Sequence, residues 1–293
     1  MKGIILAGGA GTRLHPATGV INKQLLPVYD KPMIFYVLST LMLGGIREIL
    51  IITSPHARPL YEELLGDGAW LGMHLEYATQ EAPNGVPEAL IIGRKFLNGE
   101  PCAFILGDNI FVGHMLGDML EDVQQRGGGA TIFVCRVSDP QRYGVIDIDA
   151  AGKVRDVVEK PAEPPSNWAI TGLYMLDSKA PDIAAGLTPS VRGELEMVDV
   201  IKVYMERDAL SVEKLGRGYA WLDSGTHESL LDAAQYIATI EQRQGLKIAC
   251  LEEIALRKGF IDLEQFKVLA ENYPASSYGL YLRSLLNEDF LEI

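Results

Sequence analysis

The chain has little of what would mark a metal centre, a disulfide scaffold or a nucleic-acid surface. Its three cysteines, Cys102, Cys135 and Cys250, lie far apart without metal-ligand spacing, which fits reduced thiols in a cytoplasmic core. The histidines are as sparse, and His15, His56, His74 and His227 read as surface or packing residues. Cations are outnumbered, 26 Lys+Arg against 39 Asp+Glu, and a net charge of −13 argues against long nucleic acid or an anionic membrane as partner. A small polyanionic substrate stays open if the few cations converge. The longest apolar stretch, Met33 to Leu43, is broken by Ser39 and Thr40 and is too short to span a bilayer. No basic segment precedes an apolar one with a cleavage site, so no export signal is expected. Two common phosphate fingerprints are also missing: no Gly-Lys-Ser/Thr follows at Walker spacing, and the glycines do not fall as G-x-G-x-x-G.

What is present is a chain of 293 residues, 48% hydrophobic, long enough for one large α/β domain or for such a domain with an appendage. Apolar runs "KGIIL", "EILIIT" and "CAFIL" alternate with helical patterns over Met33–Leu43, Pro59–Leu65 and Glu88–Phe96. That alternation describes parallel strands buried on both faces, hence a doubly wound, mostly parallel sheet with a Rossmann-like winding. From Ala130 the texture changes. "ATIFVCRV", "YGVIDID", "VRDVVEK" and "WAITGLYMLD" follow one another with only turns between, as mixed strands do, and "DAAGK" (Asp149 to Lys153) reads as a hairpin turn. A helix over Glu196–Arg207, a strand pair in "LSVEKLGRGYAWLD" and a helix capped by Thr226 and running to about Arg243 follow. Beyond Gly245 the pattern is helical, interrupted by Gly259 and Pro274.

Behind the first strand stands "LAGGAGTRLHPAT". Glycine reaches positive φ cheaply and lets backbone approach a ligand, so Gly8, Gly9 and Gly11 suggest amides gathered around an anion, with Arg13 and then Lys23 as the matching charge. The other polar punctuation follows in order: "NKQLLPVYDKPM", "LGDN", "RYGVI", "VEKP", "RGELE" and "WLDSGTHESLL". Taken together, in this order and spacing, these motifs resemble the sugar-phosphate nucleotidylyltransferases, and among them the glucose-1-phosphate thymidylyltransferases of dTDP-rhamnose biosynthesis, a route to cell-wall polysaccharide.

The resemblance implies a nucleotidyltransferase domain over 1–244, with a nucleotide-binding half (1–129) and a sugar-phosphate-binding half (130–244), and a helical assembly or regulatory appendage over 245–293. It implies that dTTP and glucose 1-phosphate give dTDP-glucose and pyrophosphate by in-line attack, in a cytoplasmic homotetramer. Gly8, Gly11 and Thr12 would line the triphosphate, Arg13 and Lys23 would neutralise its charge, and Gln24, Gln80 and Gly85 would face the base. Lys160 and Arg192 would bind the sugar phosphate, Glu159 the sugar hydroxyls, and Gly144 and Ile170 would shape the wall. Asp108 and Asp223 would hold Mg²⁺, whose hardness suits carboxylate and phosphate oxygens. His114, Arg217, Glu253, Ile254 and Arg257 match the family's regulatory site.

Two departures stand out. Gly85-Val86-Pro87-Glu88-Ala89 replaces the family's Gly-Leu-Ala-Gln-Ala, and Gly117 replaces a second regulatory histidine, which argues against carrying over inhibition by dTDP-rhamnose. The rival readings are a uridylyltransferase, since uracil lacks only a methyl, and a non-catalytic sugar-nucleotide sensor, which would have no reason to keep Arg13, Lys23, Asp108 and Asp223 together.

Overall fold

The computed structural model describes residues 1–9, 11–149 and 152–287. Ala10 of the glycine loop, Ala150 and Ala151 of the expected hairpin turn, and positions 288–293 of the appendage lie outside the described residues. The strands are β1 (Lys2–Ala7), β2 (Pro27–Val28), β3 (Lys31–Pro32), β4 (Glu48–Thr53), β5 (His74–Thr79), β6 (Cys102–Leu106), β7 (Asn109–Gly113), β8 (Ala130–Arg136), β9 (Gly144–Ile148), β10 (Val154–Glu159), β11 (Trp168–Leu176), β12 (Leu210–Leu215) and β13 (Tyr219–Asp223). The helices are α1 (Met33–Leu43), α2 (Arg58–Leu65), α3 (Glu88–Ile92), α4 (Arg94–Leu97), α5 (Leu116–Arg126), α6 (Ala180–Ala185), α7 (Met197–Glu206), α8 (His227–Gln244), α9 (Leu251–Arg257), α10 (Leu263–Asn272) and α11 (Ser277–Ser284).

Ile4, Ile5, Ile49, Ile51, Phe104 and Ile105 are all fully buried, as continuous apolar runs covered on both faces must be. Strands β6, β1, β4 and β5 lie side by side in parallel. The later strands join the same sheet. Strand β11 runs antiparallel to β6, β8 and β9, and β12 lies parallel to β8, so seven of the nine strands point one way and β10 and β11 point the other.

The sheet forks along β11. Its first residues pair with β9 through Ala169, its last four pair with β6, and β8 follows its other edge with a register break between Ile170 and Tyr174. The expected pairing within "LSVEKLGRGYAWLD" does not form, because β12 extends the main sheet on β8 while β13 pairs with β7 in a separate two-stranded ribbon. The expected helix over Glu88–Phe96 is divided at Gly93, where a Cβ would meet the Ile4 side chain at 2.6 Å.

Helix α1 is buried from Met33 to Met42, which is why its sequence lacks a polar stripe. It lies between the sheet and the C-terminal helices, and Leu251, Ala255, Phe266 and Leu282 share one hydrophobic core with Ile34, Leu38 and Leu41. Thr226 caps α8 through the Ser229 amide. Among the described residues no helix is long and apolar enough to cross a membrane.

Buried charges tie α8 to the β2–β3 hairpin. The Glu241 carboxylate accepts from Lys31 at 2.9 Å, from Lys247 at 2.6 Å and from the Ile248 amide at 2.9 Å, and Asp30 pairs with both lysines. Burial pushes the Asp30 carboxyl up, but hydrogen bonds from Lys247 and Lys31 outweigh it and hold the group below its ordinary value. With one carboxylate removed, two interior lysines face a single anion. Glu241→Ala is therefore expected to cost about 3–5 kcal/mol, read from urea unfolding at pH 7. A loss under about 1 kcal/mol would show that this cluster does not hold α8 in place.

Candidate active site

The glycine loop leaves β1 at Ala7, whose carbonyl accepts from the Asn22 side chain at 3.2 Å and from Thr53 Oγ1 at 2.9 Å. Gly11 adopts a left-handed conformation with φ 61°, and a Cβ there would meet Thr18 Cγ2 at 2.8 Å. The chain then closes a short turn over Thr12–Leu14 that buries Leu14 and leaves Thr12 and Arg13 exposed. A single ordinary turn residue could not supply both the reversed φ and the close packing. A second turn, Lys23–Leu25, is held by Asn22, whose Oδ1 accepts from the Gln24 amide at 3.1 Å and from Tyr61 at 2.7 Å. It aims Lys23, which is 5% exposed, across the sheet to donate to Asp108 Oδ2 at 2.6 Å.

A cavity of about 490 Å³ opens at the fork in the sheet. Leu106, Glu159 and Asp223 line it from the last residues of β6, β10 and β13, where ligands of open α/β sheets are found. Asp108 and Asp223 come together because the β7–β13 ladder pairs Asn109 with Asp223, and the Ser224 amide donates to the Asp108 carbonyl at 3.2 Å. Asn109, 4% exposed, organises this corner. Its Oδ1 accepts from the Gly172 amide at 3.1 Å and from the Trp221 indole at 2.6 Å, while its Nδ2 donates to Asp108 Oδ1 at 2.7 Å. Only glycine fits at position 172, where a Cβ would lie 2.7 Å from Asn109 Cγ.

Arginine-192 grips Glu196 through two nitrogens, at 3.1 and 2.7 Å, and reaches Glu159 at 3.5 Å. Lys160, left-handed at φ 42°, sits 3.2 Å from the same Glu159 oxygen. Gly144 leaves space between Glu159 and Ile170, since a Cβ would lie within 3.4 Å of both. Arg142 bridges Asp139 at 2.8 Å and Asp223 at 3.4 Å. Burial, with the Asp223 charge beside it, pushes the Tyr143 hydroxyl well above its ordinary value, so it stays protonated. The Arg13 guanidinium reaches the same corner, 3.1 Å from where a Gly225 Cβ would stand. Among the described lining residues Arg13, Arg142, Lys160 and Arg192 face Asp108, Glu159, Glu194, Glu196 and Asp223, one more carboxylate than cations.

A smaller cavity, about 300 Å³, is lined by Gly8, Gly9, Asn22, Gln80 and Pro83 among others. Gln80 Oε1 lies 3.2 Å from where a Gly8 Cβ would be, on the edge of the sheet beyond β1. Gln24 is 3% exposed, and its Oε1 finds no hydrogen-bond partner among the described residues. Gly85, at φ 110°, packs on the Leu195 carbonyl, 2.1 Å from a would-be Cβ, so only glycine allows its bridge to the Arg192 loop.

The larger cavity thus gathers Arg13, Asp108, Gly144, Glu159, Lys160, Ile170, Arg192 and Asp223 of the residues expected from the sequence; Gly8 and Gln80 face the smaller one. Gly11, Thr12, Lys23, Gln24 and Gly85 line neither. His114 and Arg217 flank the end of the β7–β13 ribbon where Gly113 pairs with Tyr219, and both are exposed. Glu253 accepts from Arg257 at 2.8 Å and from Tyr281 at 2.6 Å, with Ile254 half-buried beside them on α9. At Gly117 a Cβ would lie 2.9 Å from the Leu43 carbonyl, so α5 packs too closely there for histidine. Asn22, Asn109, Arg142, Tyr143 and Glu196 received no role from the sequence. Arg142 and Tyr143 stood in a quoted motif, "RYGVI", and Asn109 in "LGDN", but their partners become visible only in three dimensions.

Residues 2–240 match the model of the nucleotidyl transferase family. The chain is 56% identical over 284 residues to a glucose-1-phosphate thymidylyltransferase of Xanthomonas campestris pv. campestris, covering 97% of this chain and 96% of that one. It is 51% identical over 289 residues to one of Mycobacterium tuberculosis, covering 99% and 100%. A crystal structure with sucrose, of a Bacillus anthracis protein assigned as a glucose-1-phosphate thymidylyltransferase, superposes with a TM-score of 0.75 at 38% identity, over 80% of this chain and 94% of the other. At that identity over nearly its whole length, the chain belongs to the nucleotidyl transferase family, in its glucose-1-phosphate thymidylyltransferase branch.

Proposed function

We propose that the protein transfers the thymidylyl group of dTTP to glucose 1-phosphate, giving dTDP-glucose and pyrophosphate, as the entry step to dTDP-rhamnose. The observation that carries this reading is the convergence of cations from four separate segments on a cavity that also holds two strand-end aspartates. The sugar phosphate oxygen is already ionised and attacks the α-phosphorus in line, so the chain has to position two anions and offset their charge.

In this reading the Gly8 and Gly11 amides and the Thr12 hydroxyl hold the triphosphate. Arg13 and Lys23 neutralise charge developing on the departing pyrophosphate. Gln24, Gln80 and Gly85 face the thymine. Lys160 and Arg192 take the phosphate of glucose 1-phosphate, Glu159 accepts from sugar hydroxyls, and Gly144 and Ile170 leave room for the ring. Their existing partners matter: Glu196 holds the Arg192 guanidinium in a fixed plane before substrate arrives. The surplus of carboxylate in the cavity and the hard oxygens of Asp108 and Asp223 fit a divalent cation such as Mg²⁺. Bound there, it would supply positive charge to the phosphate oxygens. Resemblance to the family supports a cytoplasmic homotetramer, with residues 245–293 in assembly and with His114, Arg217, Glu253, Ile254 and Arg257 at a regulatory nucleotide site.

Across the nucleoside triphosphates with glucose 1-phosphate, followed by pyrophosphate release, dTTP should give the highest kcat/KM and UTP a lower but measurable one, since a methyl group is worth only about 1–3 kcal/mol. Preference for ATP or GTP would overturn the assignment.

Asp108→Asn and Asp223→Asn should each lower kcat/KM by about 10²–10³ and raise the Mg²⁺ concentration needed for half-maximal turnover, with the double variant little worse than either. Folded single variants with the wild-type Mg²⁺ profile, or losses that simply multiply, would separate the two residues from one metal site.

A further inference from the structure

Glu88 opens α3, and its carboxylate has a chemical consequence at Gln80. Glutamine offers two amide hydrogens on one side and a carbonyl on the other, so what it shows a ligand depends on which way the amide is turned. Here the turn is dictated. Gln80 Nε2 donates to Glu88 Oε2 at 2.7 Å and to the Gly85 carbonyl at 3.1 Å. Both partners are pure acceptors, so the reversed amide would set oxygen against oxygen at both contacts. The Glu88 carboxylate is itself braced, its other oxygen accepting from Asn84 Nδ2 at 2.8 Å. The Gln80 backbone is fixed as well, its amide donating to the Thr53 carbonyl at 2.9 Å where β5 ends.

With both hydrogens committed, Gln80 has no donor left to offer. What remains is Oε1, which lies over Gly8 at the carboxyl end of β1. A second amide near the same strand end repeats the pattern: Gln24 is buried with its Oε1 unpartnered among the described residues, and its Cγ lies 3.0 Å from where a Gly107 Cβ would be, next to Leu6 and Ala7.

We infer that Glu88 is a positioning residue for base selection: it holds the Gln80 amide so that an acceptor faces the base, and the site therefore takes a pyrimidine carrying an N–H at its pairing edge and rejects one carrying a bare ring nitrogen there. Thymine and uracil carry that imide N–H; cytosine presents a lone pair. An acceptor facing a lone pair is left unsatisfied in a partly desolvated site, which is the costly outcome for a buried polar group. The inference rests on the thymidylyltransferase reading and adds to it the rejection of cytosine and the residue responsible.

The test compares kcat/KM for dTTP and dCTP in the wild-type protein, Glu88→Ala and Glu88→Gln, each with its thermal unfolding midpoint. Without the carboxylate the Gln80 amide is held by the Gly85 carbonyl alone and turns more readily, so Glu88→Ala should lower the dTTP to dCTP ratio about tenfold or more, while Glu88→Gln, which still offers an acceptor, should keep most of it. A merely structural role would lower both nucleotides alike, and an unchanged ratio in Glu88→Ala overturns the inference. Calorimetric binding to the wild-type protein gives a reading free of any variant's folding. There dUTP should bind close to dTTP and dCTP about a hundredfold more weakly, and dCTP within threefold of dTTP would also overturn the inference. A wild-type protein that turns over neither dTTP nor UTP, but uses a purine triphosphate, would instead remove the thymidylyltransferase reading, and this inference with it.

Discussion

The cavity at the fork in the sheet is lined by more carboxylates than cations, and most of the local structure follows from that constraint. Free cations crowded together would repel one another in the empty site. Three of the four lining cations are instead paired with acids, Arg142 with Asp139 and Asp223, Arg192 with Glu196, and Lys160 with Glu159, and Lys23, just outside the lining, is held by Asp108. The carboxylates set the direction of each positive group before substrate arrives, and direction is what a reaction between two anions requires. The Lys23–Asp108 pair is the tightest of these links. It joins the loop after β1 to the ribbon that carries both aspartates, so displacement on one side is felt on the other.

The fork in the sheet makes room for this arrangement. Where β9 and β6 part along β11, Ile170, Thr171 and Gly172 line the cavity, and Asn109 fills the space that Gly172 leaves. A continuous ladder would have closed the cavity. Asn109 uses both ends of its amide, so one buried side chain fixes the strand, the Trp221 indole and the Asp108 carboxylate together.

Much of this was legible in the sequence, for reasons that differ by element. Continuous apolar runs identified β1, β4 and β6, and the bounds of α1 coincided with the longest apolar stretch, because complete burial leaves no polar interruption. The strand-end position of Asp108 and Asp223 was readable as apolar run followed by acid. Their convergence depends on β13 pairing with β7, not with β12, a choice of long-range partner that local pattern does not encode. Asn22 and Asn109 were invisible for another reason: an asparagine reads as a turn residue until its bonding partners, distant in sequence, are known. Glu88 was noticed as a departure, but its effect needed the position of Gln80 eight residues earlier.

Direct transfer between two held substrates needs no covalent stage on the protein. Of the cavity's acids, Asp108, Glu159, Glu196 and Asp223 are paired with cations, and Tyr143 is kept protonated by burial and by Asp223. The most direct measurement is the exchange of radiolabelled pyrophosphate into dTTP with Mg²⁺ present and glucose 1-phosphate omitted. Direct transfer predicts no exchange above background until the sugar phosphate is added. Exchange in its absence, at a rate comparable to turnover, would mean that a side chain carries the thymidylyl group and would contradict the account.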